Sequence, residues 1–260
     1  MITSSHNPKV AHVRALLNRR EERDSAHQFV VEGVRLTEEG LKAGIKPDLV
    51  FFSNDISSRG RKIMDAFSKL GTEIEELSPQ VLQQISGTET SAGLLAVFPQ
   101  PSFALPKPLT FLLIADALRD PGNLGTLLRT AAAAGVQGIA LTPTCVDVFS
   151  PKVVRAGMGA HFKLPLLSLG WDEIRAVCQT QPIPLRLLLA EAENATSCWQ
   201  MDLHTPLALI IGSEAEGATA EARQYADEWI AIPMPGKSES LNAAVAAAIL
   251  VFEVVRQRSS

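Results

Sequence analysis

Short apolar runs alternate with helical patterns along this 260-residue chain, and the alternation restricts the folds open to it. In the second half, the apolar run Phe111–Ala115 precedes a polar loop, a helical pattern over 124–134 and a second apolar run over 138–142. A strand, a helix and a strand in this order form a unit whose two strands are parallel. The sequence therefore predicts an α/β fold with a parallel sheet flanked by helices.

A proline-rich stretch divides the chain. Residues 99–108 contain four prolines in ten positions, a composition that favours an extended, semi-rigid spacer. We therefore predict a first domain over 1–98, a linker over 99–108 and a second domain over 109–260. Two domains also suit a chain of this length.

The charge of the chain is uneven. The net charge is −4 and the pI is near 5.8, so no global basic field indicates nucleic acid. However, residues 1–20 and 148–171 contain basic side chains and no acidic ones. Charge alone leaves two alternatives open, which are solvated surface and two local basic faces.

The cysteines and the termini suggest a cytoplasmic protein without a metal or a membrane segment. The three cysteines are widely spaced and form no Cys-x-x-Cys, which argues against a zinc site or a disulfide framework. The first residues lack the apolar core of a signal peptide. The longest apolar run, 243–252, is too short to cross a bilayer.

Several catalytic patterns are incomplete. Residues 231–238 approach a phosphate-binding loop, but Pro233 and Pro235 remove two backbone N–H groups that such a loop uses. The segment Gly157-Met-Gly159 supplies only part of a dinucleotide-binding turn and follows a helical pattern. The chain has no Gly-x-Ser-x-Gly, and its five histidines include no pair at ligand spacing. These patterns argue against an NTPase, a dinucleotide enzyme and a serine hydrolase.

Three polar loops each follow a predicted strand of the second domain, over 116–129, 212–217 and 235–242. The carboxyl ends of parallel strands lie at one sheet edge, where α/β proteins bind ligands. Asn123 is expected to cap a helix that begins at residue 124. For the last helix, Ser238 or Ser240 is the expected cap. A group of Asn, Arg, Glu and Ser side chains at one edge favours a binding site over a set of helix caps.

These loops resemble the three signature motifs of the SpoU (TrmH-like) RNA 2′-O-ribose methyltransferases. Asp-x-x-x-Asp-Pro-x-Asn-x-Gly-x-x-x-Arg matches 116–129, Gly-Ser-Glu-x-x-Gly matches 212–217, and Ile-Pro-Met-x-Gly-x-x-x-Ser-Leu-Asn matches 232–242. The motifs occur in the order and spacing of the family. The segment 151–165 looks like members that act on large-subunit ribosomal RNA, and the first hundred residues are similar to their small αβα RNA-binding domain.

The resemblance implies a SPOUT-type α/β domain with a deep trefoil knot, preceded by a small αβα RNA-binding domain. It also implies that S-adenosylmethionine is bound in the knot and that two copies form a homodimer through the knotted domain. The cofactor-binding residues that it implies are Gly212, Ile232, Leu241, Thr142 and Met234. The implied catalytic residues are Arg129, Asn123, Glu214, Ser240 and Asn242.

The expected reaction is methyl transfer to a ribose hydroxyl, which is a poor nucleophile at neutral pH. We expect Arg129 to stabilise the developing alkoxide and to hold the adjacent phosphate. Glu214 is expected to orient Arg129 or the loop, while the other catalytic residues position the ribose.

RNA, most simply ribosomal RNA, is the expected partner. The residues expected to contact it are Lys9, Arg14, Arg19, Arg35, Lys152 and Arg155. One alternative is a transfer RNA ribose methyltransferase, although members of that group usually lack the N-terminal domain. The other alternative is a non-catalytic RNA-binding or ribosome-assembly protein.

Overall fold

The computed structural model of the chain describes residues 1–86, 93–193, 195–214, 216–236 and 240–259. Helices and strands alternate through these ranges, as the apolar runs predict. The helices are α1 (Pro8–Asn18), α2 (Arg20–Ala26), α3 (Val34–Lys42), α4 (Ser58–Lys69), α5 (Pro79–Ile85), α6 (Pro121–Ala133), α7 (Pro151–Gly157), α8 (Trp171–Gln179), α9 (Ala220–Tyr225) and α10 (Ala243–Arg258). The strands are β1 (Gln28–Glu32), β2 (Leu49–Phe52), β3 (Glu73–Glu76), β4 (Leu94–Pro99), β5 (Phe111–Ala115), β6 (Ile139–Leu141), β7 (Leu166–Ser168), β8 (Arg186–Ala190), β9 (Thr196–Ser197), β10 (Leu207–Ile211) and β11 (Glu228–Ala231).

The chain forms two compact units. The first unit contains Met1–Pro101 together with Phe149–Phe162, and the second contains Ser102–Val148 together with Lys163–Ser260. The first unit has a sheet in the order β1-β4-β2-β3, in which β4 is antiparallel to both of its neighbours. Apolar clusters cover both faces of this sheet, one with α1 and α5 and the other with α3 and α4.

The second unit has a parallel sheet, as predicted. Its strand order is β7-β6-β5-β10-β8-β11-β9, and each neighbouring pair is parallel. Every residue of β5 and β10 is buried, because helices cover both faces of a sheet of this kind. One face packs against α8 and α9, while α10 packs against α6 and β10. The order places β10, β8 and β11 side by side.

The proline-rich stretch differs from the expected spacer. Its residues from Ser102 onward belong to the second unit, and Leu105 packs against the core of that unit. A Cβ atom at Gly138 would lie 2.4 Å from Leu105 Cδ2, so the absence of a side chain there makes room for the leucine. Burial of an apolar side chain therefore fixes a segment that its prolines alone would leave as a linker.

The segment Phe149–Phe162 differs from the predicted boundary of 109–260, because it belongs to the first unit. The physical reason is aromatic packing. The rings of Phe98 and Phe162 lie 4.8 Å apart, and those of Phe29 and Phe149 lie 5.1 Å apart. Each buried aromatic ring removes a large apolar area from water, which favours packing of this segment with the first unit. The segment therefore carries Lys152 and Arg155 into the first unit.

Candidate active site

The first polar loop leaves β5 and is fixed by a buried carboxylate. Asp116 accepts hydrogen bonds from the Thr219 backbone N–H at 2.7 Å and from Thr219 Oγ1 at 3.2 Å. Thr219 is the N-cap of α9, so this carboxylate joins the first loop to the segment that follows the second. Burying a carboxylate is costly unless hydrogen bonds satisfy it, which explains this pairing.

The predicted cofactor residue Thr142 lies behind this loop. Ala117 has a left-handed φ of 53°, which is unusual for a residue with a side chain. The buried Thr142 hydroxyl accepts a hydrogen bond from the Ala117 N–H at 3.0 Å and so supports that conformation. Thr142 thus positions the first loop.

The second polar loop turns back on itself after β10. Ser213 and Gly217 form an antiparallel bridge, with N···O distances of 2.9 and 3.1 Å between their backbones. A Cβ atom at Gly212 would lie 2.6 Å from the backbone N of Ala218, closer than two such atoms can approach. The turn therefore requires glycine at the position that the resemblance assigns to cofactor binding.

The two helix caps differ from those that the sequence predicted. Helix α6 begins at Pro121, and its N-cap is Asp120, which accepts a hydrogen bond from the Asn123 N–H at 2.7 Å. Asn242 is itself the N-cap of α10, accepting from the N–H groups of Ala244 and Val245. The expected cap Ser240 therefore does not have this role, and Ser238 lies outside the described residues.

Three predicted catalytic side chains form one chain of hydrogen bonds. Asn242 Nδ2 donates to Asn123 Oδ1 at 2.9 Å, and Asn123 Nδ2 donates to Glu214 Oε1. We call these three residues the amide relay. Because the Asn123 amide is used on both sides, its orientation is fixed. The relay connects α6, the second loop and the start of α10, which are far apart in sequence.

Arg129 lies outside the relay. It is exposed on α6, and its side chain makes no hydrogen bond or ion pair within the described part of the chain. Glu214, which was expected to orient Arg129 or the loop, makes no hydrogen bond to Arg129 in the described ranges and accepts one from Asn123. An exposed guanidinium without a protein partner remains able to bind a phosphate or an oxyanion.

A cavity of about 360 Å³ lies at the carboxyl ends of β10, β8 and β11 and against the start of α10. This volume falls within the range of about 300–1,000 Å³ that is usual for small-molecule sites. Its wall includes the predicted residues Gly212, Ile232, Met234, Leu241, Glu214 and Ser240. Thr142, Asn123, Arg129 and Asn242 are not part of that wall.

The sequence analysis missed one segment that lines the cavity. Ala190, Glu191 and Ala192 follow β8 and line the same cavity. The available signal was an acidic residue, Glu191, directly after an apolar run that forms a strand. Among the described residues, the lining of the cavity is mainly apolar, and its charged side chains are the carboxylates of Glu191 and Glu214.

The predicted RNA-binding residues divide into two sets. Lys9 is hydrogen-bonded to Glu73 and Glu75, and Arg19 pairs with Glu22. In contrast, four side chains have no ion pair or hydrogen-bond partner in the described ranges. They are Arg14, Arg35, Lys152 and Arg155, all of which belong to the first unit.

An apolar stripe is exposed along the start and middle of α10. Val245, Ile249 and Phe252 follow helical spacing on one face, and Leu241 precedes them; their exposure ranges from 37 to 48%. The described residues contain no helix suited to crossing a membrane. They also contain no group of three or more His, Cys, Asp or Glu side chains that could hold a metal ion.

Comparison with known proteins places these features in a family. Residues 110–252 match the model of the SpoU rRNA Methylase family, and residues 7–96 match the MRM3-like substrate binding domain. The chain is 32% identical to the 23S rRNA (guanosine(2553)-2′-O)-methyltransferase RlmP of Bacillus subtilis, over 97% of the chain and 98% of that protein. It is 30% identical to the 23S rRNA (uridine(2479)-2′-O)-methyltransferase of Streptomyces viridochromogenes, over 99% of the chain and 92% of that protein.

Solved structures agree with this placement. The SpoU methyltransferase AviRb from Streptomyces viridochromogenes, in complex with the cofactor AdoMet, superposes with a TM-score of 0.90 at 28% identity, covering 98% of the chain and 99% of AviRb. An AdoMet-bound rRNA methyltransferase from Sinorhizobium meliloti superposes with a TM-score of 0.86 at 27% identity, covering 98% and 97%. The chain, with its three motifs at one sheet edge, therefore belongs to the SpoU rRNA methylase family.

Proposed function

We propose that the protein transfers a methyl group from S-adenosylmethionine to a ribose 2′-hydroxyl of large-subunit ribosomal RNA. The observation that carries the proposal is that the second and third motif loops line one cavity, while Asn123 of the first motif loop is hydrogen-bonded to Glu214 on its wall. Relatives that match over nearly their whole length are named as 23S rRNA 2′-O-methyltransferases, which supports both the reaction and the substrate.

The cavity fits the cofactor in size and charge. Gly212 has no room for a side chain, so the backbone itself forms that wall, and Ile232, Met234 and Leu241 add apolar surface. Glu191 is paired with Arg223, but Glu214 has no ion pair among the described residues, so its carboxylate on the wall favours a cationic ligand. When bound, S-adenosylmethionine supplies an electrophilic methyl group on a positively charged sulfur.

The residues of the chain then act on the RNA. Arg129 holds the phosphate next to the target nucleotide and stabilises negative charge on the attacking ribose oxygen. The amide relay keeps Glu214 at the cavity wall and fixes α10 relative to α6. Ser240, which also lines the cavity, positions the ribose.

We further propose that RNA contacts the first unit through Arg14, Arg35, Lys152 and Arg155. Within the described part of the chain, these cations have no carboxylate partner to displace, in contrast to Lys9 and Arg19. A phosphate contact by an already paired cation gains less, because the existing ion pair must first be broken. The match of 7–96 to a substrate-binding domain supports the same assignment.

The remaining expectations concern assembly and location. The exposed stripe on α10 fits a second copy of the chain, and the resemblance implies a trefoil knot around the cavity.

The three cysteines are buried free thiols, and burial raises the pKa of Cys178 to about 12. Unreactive free thiols suit a reducing compartment, so we propose a cytoplasmic location.

The experiment that tests the reaction compares RNA substrates and one matched pair of variants. The purified protein is given labelled S-adenosylmethionine with large-subunit RNA, small-subunit RNA or transfer RNA. We expect label in large-subunit RNA, and Arg129→Ala should lower kcat by about 10²- to 10³-fold. Arg175→Ala is the control, since Arg175 lies in the same unit and pairs with Asp227.

Other results would redirect the proposal. Label in transfer RNA alone would replace the substrate, and RNA binding without any label would indicate a non-catalytic assembly role. Near-normal turnover of Arg129→Ala would remove Arg129 from the reaction.

The RNA surface has its own test. A triple variant, Arg35→Ala with Lys152→Ala and Arg155→Ala, should reduce the slope of log affinity against log salt by about 2 to 3. The double variant Lys9→Ala and Arg19→Ala should leave that slope unchanged. The opposite ranking would contradict the assignment.

A further inference from the structure

Glu191 occupies a central position at the cavity. It is the first residue after β8, the strand that lies between β10 and β11. Its backbone N–H donates to the carbonyl of Ile230 at 3.1 Å, so the ladder fixes its Cα position. Its partly buried side chain lines the cavity. No motif of the family, as quoted above, includes this residue.

Arg223 of α9 holds the Glu191 carboxylate in place. Arg223 Nη2 donates to Glu191 Oε1 at 2.6 Å, and Arg223 Nε lies 3.1 and 3.3 Å from the two carboxylate oxygens. The side-chain hydrogen bonds to Glu191 raise the pKa of Arg223, so the guanidinium stays charged. A Cβ atom at Gly217 would lie 3.7 Å from Arg223 Nη2, which puts the guanidinium beside another residue of the wall. The arginine thus reduces the freedom of the carboxylate.

The clamp does not use all the acceptor capacity of Glu191. A carboxylate offers about four lone-pair sites, and the one hydrogen bond to Oε2 from a described residue is the longer contact of 3.3 Å. Two adjacent hydroxyl groups are the donors that match a carboxylate with two oxygens. In dinucleotide-binding α/β proteins, an acidic residue hydrogen-bonds a ribose hydroxyl in this manner.

We infer that Glu191, clamped by Arg223, accepts the hydrogen bonds of the ribose hydroxyls of the adenosyl cofactor. This inference rests on the proposed function, because it requires the cofactor to occupy the cavity. Glu191 would then determine specificity for a ribose over a deoxyribose in the cofactor. An alternative role, in which the ion pair only ties α9 to β8, predicts no such specificity.

The test combines protein variants with ligand analogues in a thermodynamic cycle. The affinity of each pair is measured by calorimetry on the full chain. The ligands are S-adenosylhomocysteine and its 2′-deoxy and 3′-deoxy analogues. The proteins are the wild type, Glu191→Gln, Arg223→Gln and the matched control Glu193→Gln. Glu193 is exposed in the same loop and does not line the cavity.

A hydrogen bond to a charged group corresponds to a preference of about 10- to 100-fold for S-adenosylhomocysteine over a deoxy analogue. We expect this preference in the wild type and in Glu193→Gln. It should fall below about 3-fold in Glu191→Gln and to an intermediate value in Arg223→Gln.

Two results would overturn the inference and leave the proposed function intact. In one, the wild type binds S-adenosylhomocysteine and its deoxy analogues equally well, a result that depends on no variant. In the other, Glu191→Gln keeps the full preference. If the wild type bound none of these ligands, the proposed function would fail as well.

Discussion

Asn242 has two separable roles, and separating them tests the amide relay. Its Oδ1 caps α10 through two backbone N–H groups, while its Nδ2 donates to Asn123. Replacement by Ala removes both roles. Replacement by Asp keeps the capping oxygen but loses the donor. In Asn242→Asp the Asn123 amide therefore lies between two carboxylates, the new one and that of Glu214.

The magnitudes follow from these contacts. Loss of an N-cap costs about 1 kcal/mol, and loss of one exposed hydrogen bond adds about 0.5 to 1 kcal/mol. Asn242→Ala should therefore destabilise the fold by about 1.5 to 2 kcal/mol. Asn242→Asp gains about 0.3 to 1 kcal/mol from a negative charge at the helix N-terminus, which offsets the lost donor. Its stability should remain within about 1 kcal/mol of the wild type.

The loss of kcat should depend on the hydrogen bonds of the amide relay and not on the free energy of unfolding. When the Asn123 amide cannot hydrogen-bond to both neighbours, the site residues are held less well. We expect the activation free energy to rise by about 1.4 kcal/mol, which corresponds to about a tenfold lower kcat. We expect this loss in Asn242→Asp and in Asn242→Ala. The matched control is Ser57→Ala, since Ser57 caps α4 in the first unit without touching the relay. It should lower stability and leave kcat unchanged.

The assay combines urea unfolding with steady-state methylation at saturating cofactor. The reasoning is refuted if Asn242→Asp turns over at the wild-type rate, or if its kcat falls only in proportion to the unfolded fraction.

Three further predictions address the cavity, the surface and a buried acid. Gly212→Ala should weaken S-adenosylhomocysteine binding at least tenfold, because its Cβ would lie 2.6 Å from backbone atoms. In the control Gly170→Ala the Cβ meets nothing closer than 3.7 Å, so this variant should bind normally. Equal affinities of the two variants would contradict the account. Phe252→Asp should convert a homodimer to monomers in sedimentation, while Ile183→Asp, also an exposed apolar residue, should not. A wild-type protein that sediments as a monomer would exclude the α10 interface. The Arg256 hydrogen bond holds the pKa of Glu253 at about 2, so its stabilisation is complete above about pH 4.5 and is lost as the pH falls towards 2. The free energies of unfolding of the wild type and Glu253→Gln should therefore differ at pH 7 and converge near pH 2. A difference that stays constant with pH would refute this sign.

Local pattern was sufficient to predict the framework of the site. The apolar run Phe111–Ala115 has the bounds of β5, since a strand buried on both faces reads as continuous hydrophobic sequence. The motif loops follow strand ends, so their meeting at one edge follows from parallel topology. Six of the predicted site residues line the cavity for this reason.

Helix starts were less predictable, because several residues compete to cap them. Asn123 was chosen for α6, yet Pro121 with its fixed φ is suited to the first helical position and leaves Asp120 as the cap. At α10, Asn242 displaces the serines before it. Asn123 is three positions from the actual cap of α6, and the expected caps Ser238 and Ser240 are four and two positions from Asn242.

Tertiary contacts explain the other differences. The packing of Phe149 and Phe162 with Phe29 cannot be seen in local pattern, so the domain boundary missed this segment. Glu191 resembles a surface acid until β8 is known to lie between β10 and β11. The ion pairs of Lys9 likewise depend on β3, which is far along the chain.

The position of the transferred methyl group tests the central claim most directly. Large-subunit RNA methylated by the protein with labelled S-adenosylmethionine is digested with alkali, which cannot cleave after a 2′-O-methylated ribose. The account predicts that the label appears in alkali-resistant dinucleotides and disappears with Arg129→Ala. Label in mononucleotides would place the methyl group on a base and would contradict the account.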